Sequence, residues 1–227
     1  MAAARPPRPR LSRDRVLRAA VDYADRHGLD AVSMRNLATE LGVVPMALYK
    51  HVADKEELLD GMADLVLTEL PPMSTDADWR LRIRDRILQA RELLLQHPWL
   101  RRVLETRTRQ TPVMLTYLDT LIAVFRDAGF SDPLTHHVMH ALGSRAWGFT
   151  QELFDDPGPS PAPDPQLLAA MAERFPNIVA VAGAARHRVG SIVERGCDDQ
   201  FEFQFAIDVM LDGFARLHAG NWQPPHD

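Results

Sequence analysis

Residues 33–59 read SMRNLATELGVVPMALYKHVADKEELL, and their caps and breakers divide them into three short helices. Ser33 can accept a hydrogen bond from the free N–H groups that open a helix. Leu37, Ala38 and Leu41 then recur on one helical face. Gly42 stands where that helix must stop, because a residue without a Cβ enters the left-handed region cheaply. Pro45 is tolerated only in a first helical turn, which predicts a second helix over about Pro45–His51, with Leu48 and Val52 turned inward. Asp54 caps a third helix, and Glu57, three residues on, completes a capping box. Two short helices joined by a glycine turn make a helix-turn-helix, whose second helix has the size of a DNA major groove.

The same run, written S-M-R-x-L-A-x-E-L-G-V-x-x-M-A-L-Y-x-H-V-x-D-K-x-E-L-L, resembles the DNA-binding domain of TetR-type transcriptional regulators. The turn Leu41-Gly42-Val43, the pair Leu48-Tyr49 and the run Val52–Leu59 carry the resemblance at fixed offsets. More loosely, Trp79–Leu217 resembles the ligand-binding domain of the tetracycline-repressor branch. The resemblance implies DNA contacts from Arg35, from Pro45, Met46 and Ala47 at base edges, from Tyr49, Lys50 and His51, and from Lys55 on a phosphate. It also implies a homodimer in which helices Pro133–Phe154 and Asp198–His218 pair as a four-helix bundle. Phe201, Phe205, Val209 and Phe214 would then lie at the interface. Members of the tetracycline branch hold a drug-chelated magnesium with histidines. The matching positions here read Leu70-Pro71 and Arg102-Val103-Leu104, so recognition of tetracycline with magnesium is not expected.

The whole chain carries a net charge of −5, which argues against nucleic acid only if it is averaged. Residues 1–55 hold ten Lys/Arg against six Asp/Glu, and residues 56–227 hold sixteen against twenty-five. A basic head on an acidic body suits a DNA-binding regulator. With 227 residues, 46% hydrophobic and 25% charged, the chain is long and apolar enough to bury a sizeable core. No apolar run approaches the roughly 20 residues of a membrane span, so no membrane partner is expected. The start MAAARPPRPR has no apolar stretch behind it and does not read as a secretory signal. One cysteine, Cys197, rules out an intramolecular disulfide framework and fits a reducing cytoplasm.

The expected organisation is a basic arm over residues 1–10, a helix-turn-helix domain with a connecting helix over 11–70, and a helical ligand-binding and dimerisation domain over 71–227. Arg5, Arg8 and Arg10 of the arm either trail into a minor groove or form a solvated tail. Ser12 to His27 reads as a helix with Val16, Ala20, Val21 and Ala24 inward, and Arg13, Arg15 and Arg18 toward solvent or DNA. Lys55 to about Leu70 carries an apolar stripe longer than a three-helix head needs, so this helix should run from the head into the body. Further helices are predicted over Trp79–Gln96, around Trp99–Leu104, from Pro112 to before Gly129, from Pro133 to about Phe154, over Gln166–Phe175 and Ile178–Ala185, and over Asp198–His218. Between Phe154 and Gln166 lies DDPGPSPAPDP, a proline-rich extended loop. No period-2 strand occurs, so the fold class is all-α.

Nothing in the sequence reads as a catalytic site: G-x-S-x-G, P-loop and G-x-G-x-x-G are absent, and neither enzymatic activity nor a cofactor is expected. His136 and His140 have the i,i+4 spacing of a metal pair beside His137, but no Glu completes an HExxH arrangement and no metal is expected. Met114, Tyr117, Leu118, Met139, Leu142, Trp147 and Phe154 either belong to plain core or line a pocket for an apolar or aromatic ligand. The reading is a repressor released from a palindromic operator by such a molecule. Two alternatives stay open at this point. One is a ligand-independent architectural DNA-binding protein, marked by a closed body. The other is a helical metal enzyme using His136 and His140, marked by stoichiometric metal.

Overall fold

The computed structural model describes residues 10–107, 109–146, 165–184 and 199–224. Among them the fold is all-α, with eleven α-helices, one 3-10 turn and no strand. The chain divides into two compact units, Met1–Thr135 and His136–Asp227.

In the first unit, α1 (Arg13–His27) is capped by the Ser12 hydroxyl, which accepts from the Arg15 N–H. After a 3-10 turn at Leu29–Ala31, α2 (Met34–Leu41) starts at Ser33, whose hydroxyl accepts from the Asn36 N–H. Gly42 ends α2 in the left-handed region at φ 65°, ψ 39°. The Val43 N–H bonds back to the Ala38 carbonyl and the Gly42 N–H to the Thr39 carbonyl, the paired bonds of a Schellman motif. α3 (Pro45–Leu48) is shorter than the sequence suggests. Beyond Leu48 both the His51 and Val52 N–H groups return to its carbonyl, and the chain turns toward the Asp54 cap of α4 (Lys55–Leu67).

α4 also ends earlier than expected, at Leu67 rather than Leu70. The Glu69 and Leu70 N–H groups reach only three residues back, because a residue preceding proline is disfavoured in the helical region and Pro71 follows. α5 (Trp79–Gln96) and α6 (Pro98–Thr106) come next. α7 (Pro112–Asp127) then leads through Gly129 to α8 (Asp132–Ala146).

The core of this unit is shared. α1 packs on α2 and α4, and α4 packs in turn on α6 and α7. Val16, Leu37, Leu48, Val52, Leu58, Met62 and Val66 are all essentially inaccessible, so the three short helical pieces are held by burial rather than by their own propensity. Gly61 lets α1 and α4 approach, since a Cβ there would lie 2.7 Å from Leu17 Cδ2. Trp79, Phe125 and Phe130 form an aromatic cluster with centroids 4.8–5.5 Å apart.

The second unit holds the rest of α8 with α9 (Pro165–Arg174), α10 (Pro176–Ala184) and α11 (Asp199–Ala219). α8 and α11 lie side by side and antiparallel. The His137 ring lies 5.3 Å from Trp222 and the Arg145 guanidinium 4.9 Å from Phe203. Val138, Leu142 and Ala146 of α8 and Phe203, Ile207 and Leu211 of α11 are buried. The first nine residues with Arg5 and Arg8, the loop before α9, Trp147, Phe154 and Cys197 lie outside the described residues.

Candidate DNA interface and ligand cavity

α3 is held from inside and open outside. Leu48 is fully buried, whereas Val44, Met46 and Tyr49 are 67%, 71% and 47% exposed. Pro45 and Lys50 are exposed, and Ala47 and His51 half-buried. Arg35 lies exposed on α2 and Lys55 on the first turn of α4. Among the described residues, Arg35, Lys50 and Lys55 have no carboxylate partner, so these three exposed cations of the helix-turn-helix region are not neutralised.

Arg13 is exposed, as the sequence suggested, but it is also held by the fold. Its Nη1 donates to the His51 carbonyl at 2.9 Å and to the Glu57 carboxylate, tying the end of the α3 turn to the start of α4. Glu57 also accepts from the Ala53 N–H at 2.6 Å, while its own N–H donates to Asp54 Oδ1 at 2.7 Å. The capping box therefore closes one residue earlier than in its usual form. The Ala53 N–H first, and Arg13 next, hold the Glu57 carboxyl below its ordinary range. A depressed carboxylate contributes stability above the ordinary glutamate range, and that contribution is lost as pH falls through the lowered value. Arg18 pairs with Asp14 within α1.

Lys55→Ala is expected to weaken binding to specific and random DNA alike, and to flatten the salt dependence by about one unit of slope, the loss of one phosphate contact. Fluorescence anisotropy across a salt series checks this; an unchanged slope means that Lys55 touches no phosphate.

A cavity of about 470 Å³ opens in the same unit at the far end of α4. Leu67, Thr68 and Leu70, the segment Pro71-Pro72-Met73, Arg86 of α5, and Pro112, Val113, Thr116, Tyr117 and Thr120 of α7 line it. The volume falls in the range of small-molecule sites. Of the pocket residues expected from the sequence, Tyr117 lines this cavity. Met114 and Leu118 lie on the same helix, half-buried, outside its lining. Met139 and Leu142 belong to the second unit, the first half-buried and the second buried. Leu70 and Pro71 also line it.

Sequence reasoning missed Arg86 and the proline segment. Arg86 is 6% exposed and its Nη2 donates to the Pro71 carbonyl at 2.7 Å. Its signal was present: it falls on the apolar stripe of Ile83, Ile87 and Ala90.

Two sets of polar contacts tie α1 and α4 to α6 and α7. Asp25 Oδ1 accepts from Trp99 Nε1 at 2.6 Å and lies 2.8 Å from His97 Nδ1. Arg107, 7% exposed, pairs with both Asp60 and Asp64 of α4 at 3.2 Å. Thr111 donates to the same Asp64 oxygen at 2.6 Å. On α8 the His136 and His140 rings lie 4.6 Å apart, and among the described residues no three potential ligands gather for a metal. Among those residues, too, no helix is long and apolar enough to cross a membrane. On α11, Phe201, Phe205 and Val209 are 54%, 57% and 50% exposed, and Phe214 is half-buried.

Comparison with known proteins agrees with this layout. The chain is 38% identical over 131 residues to the HTH-type transcriptional repressor DrrR1 of Streptomyces coeruleorubidus, a match covering 57% of this chain and 48% of that protein. The match thus spans about half the length of that relative. The crystal structure of apo ActR from Streptomyces coelicolor superposes with a TM-score of 0.71 at 26% identity, covering 93% of this chain and 98% of that one. ActR in complex with actinorhodin does so with a TM-score of 0.67 at 27% identity, covering 92% and 98%. Residues 16–62 match the model of bacterial regulatory proteins of the tetR family. Residues 71–217 match that of the tetracyclin repressor-like C-terminal domain. With the larger match covering well over half its length and the smaller one its helix-turn-helix, the chain belongs to the tetR family of bacterial regulatory proteins.

Proposed function

We propose that this protein is a ligand-responsive transcriptional repressor, without enzymatic activity, that binds a near-palindromic operator as a homodimer in the cytoplasm. The observation that carries the reading is α3, anchored by buried Leu48 and presenting exposed Met46 and Tyr49 among the unneutralised cations Arg35, Lys50 and Lys55. Residues 11–70 act as the reader. Pro45, Met46 and Ala47 meet base edges, thymine methyls among them. Arg35, Tyr49, Lys50, His51 and Lys55 fix the register on phosphates and neighbouring bases. Residues 71–227 sense the ligand and dimerise. α8 and α11 of two copies pair through Phe201, Phe205, Val209 and Phe214, and set two α3 helices about 34–36 Å apart, one turn of DNA.

Release follows from where the cavity lies. The last turn of α4 lines it, while Asp60 and Asp64 earlier on α4 are bound to Arg107. A molecule that fits better when α4 is shifted moves the population away from the DNA-competent state, and DNA must disfavour the ligand by the same factor. The similarity to a named repressor and to a regulator solved with a bound small molecule supports this reading. A thermal-shift screen of small apolar metabolites and antibiotics, followed by anisotropy of the operator complex, tests it. Compounds that stabilise the protein should include some that release DNA. If none of the stabilising compounds changes DNA affinity, the protein binds DNA without sensing.

A further inference from the structure

We infer that the effector is an organic acid: an apolar molecule bearing one carboxylate or comparable anionic group, which pairs with Arg86 inside the α4–α5–α7 cavity. The inference rests on the reading of that cavity as the effector site and adds the chemical class of what fills it. Among the described residues, Arg86 is the one charged residue in a lining otherwise made of Leu67, Leu70, three prolines, Met73, Val113, Tyr117 and three threonines. It is 6% exposed, and among the described residues it has no carboxylate partner. What it has is the Pro71 carbonyl, 2.7 Å from Nη2. A neutral carbonyl satisfies one N–H of a guanidinium that carries five, and it does not balance the charge.

The other polar groups of the lining do not supply that balance. Thr68 donates to the Leu65 carbonyl at 2.6 Å and Thr120 to the Thr116 carbonyl at 2.7 Å. Burial holds the Tyr117 phenol well above its ordinary range, with Arg86 pulling the other way. The phenol therefore stays neutral near pH 7 and provides no counter-charge. Burial in turn pushes the Arg86 guanidinium below its usual value, the direction expected of a cation short of a partner. A neutral apolar ligand would complete the desolvation of this cation and leave it unpaired. An acid would meet it with the planar, two-point geometry that guanidinium and carboxylate share. The apolar walls then take the rest of the molecule.

Two fluorescent probes that differ only in charge test the inference on the full chain: 8-anilinonaphthalene-1-sulfonate, and N-phenyl-1-naphthylamine, the same arylamine without the sulfonate. The sulfonate is expected to bind the wild-type protein at least tenfold more tightly. Arg86→Gln keeps a donor for the Pro71 carbonyl but removes the charge, and is expected to bring the two affinities within about twofold by weakening the sulfonate alone. Arg86→Lys keeps the charge and is expected to keep the preference. Thr116→Trp, from an exposed position on α7 that lines the cavity, is expected to block both probes. Equal affinities in the wild type overturn the acid assignment even if Arg86→Gln does not fold, and so does a preference that survives that change. Loss of the preference in the Lys and Gln variants alike also overturns it, because the charge that Lys keeps would then not carry the preference. In each of these cases the cavity reading stands as long as Thr116→Trp blocks both probes. If it blocks neither, the cavity is not the ligand site and both readings fall.

Discussion

Met46→Asp is expected to lower operator affinity by at least 100-fold while leaving fold and assembly intact. Met46 is 71% exposed at the tip of α3, so its side chain contributes little to the core, and a surface change of this kind moves stability by only about 0.5 kcal/mol. On DNA the consequences are larger. The carboxylate faces phosphates at close range, and the apolar contact with base edges is lost in both half-sites of a dimer. Each wrong contact at a specific site costs about 1–3 kcal/mol, and two symmetric copies double it. Anisotropy on operator DNA, beside thermal unfolding and sedimentation, separates the effects. Wild-type affinity in a folded, dimeric variant would mean that α3 is not the reader.

Phe205→Asp should do the opposite, leaving α3 untouched and removing the dimer. Phe201, Phe205 and Val209 succeed one another at intervals of four residues and are each at least half exposed in the single chain, forming one exposed apolar stripe along α11. Such a stripe on a helix of 21 residues is costly in water unless another surface covers it. In a two-fold interface the substitution places two carboxylates where two rings met. Losing an aromatic anchor worth about 2 kcal/mol in each copy weakens dimerisation by roughly 1,000-fold. The variant should sediment as a monomer at micromolar concentration and hold DNA only through single half-sites. A wild-type protein that is itself monomeric, or a variant that stays dimeric, would refute the proposed interface.

Local chemistry explains why so much of the fold was legible. Ser12, Ser33 and Asp54 act as caps because each side chain reaches an N–H three residues away. Gly42 takes the positive φ that its place in the turn requires, and α5 begins and ends at Trp79 and Gln96 as its periodicity indicates. What escaped was non-local. Arg13 reads as one more basic residue on a helix, and only the folded chain brings it to the His51 carbonyl and Glu57, 38 and 44 residues away. Pro71-Pro72 states where a helix ends but not that the segment behind it walls a cavity. Trp147 and Phe154, which suggested a pocket by composition, lie outside the described residues, and the cavity found near Tyr117 draws on α4 and α5 instead. Arg86 was the legible exception that went unread: a charge on an apolar stripe is a question about its partner.

In the proposed dimer, α2 and α3 read a specific DNA sequence in two symmetric copies. Selecting fragments bound by the purified full chain from a random DNA library tests it most directly. A near-palindrome whose half-site centres lie about 10–10.5 base pairs apart, or a multiple of that, should be enriched, and Met46→Asp should lose that enrichment. Recovery of no sequence above background, with uniform salt-dependent binding to all fragments, would contradict it.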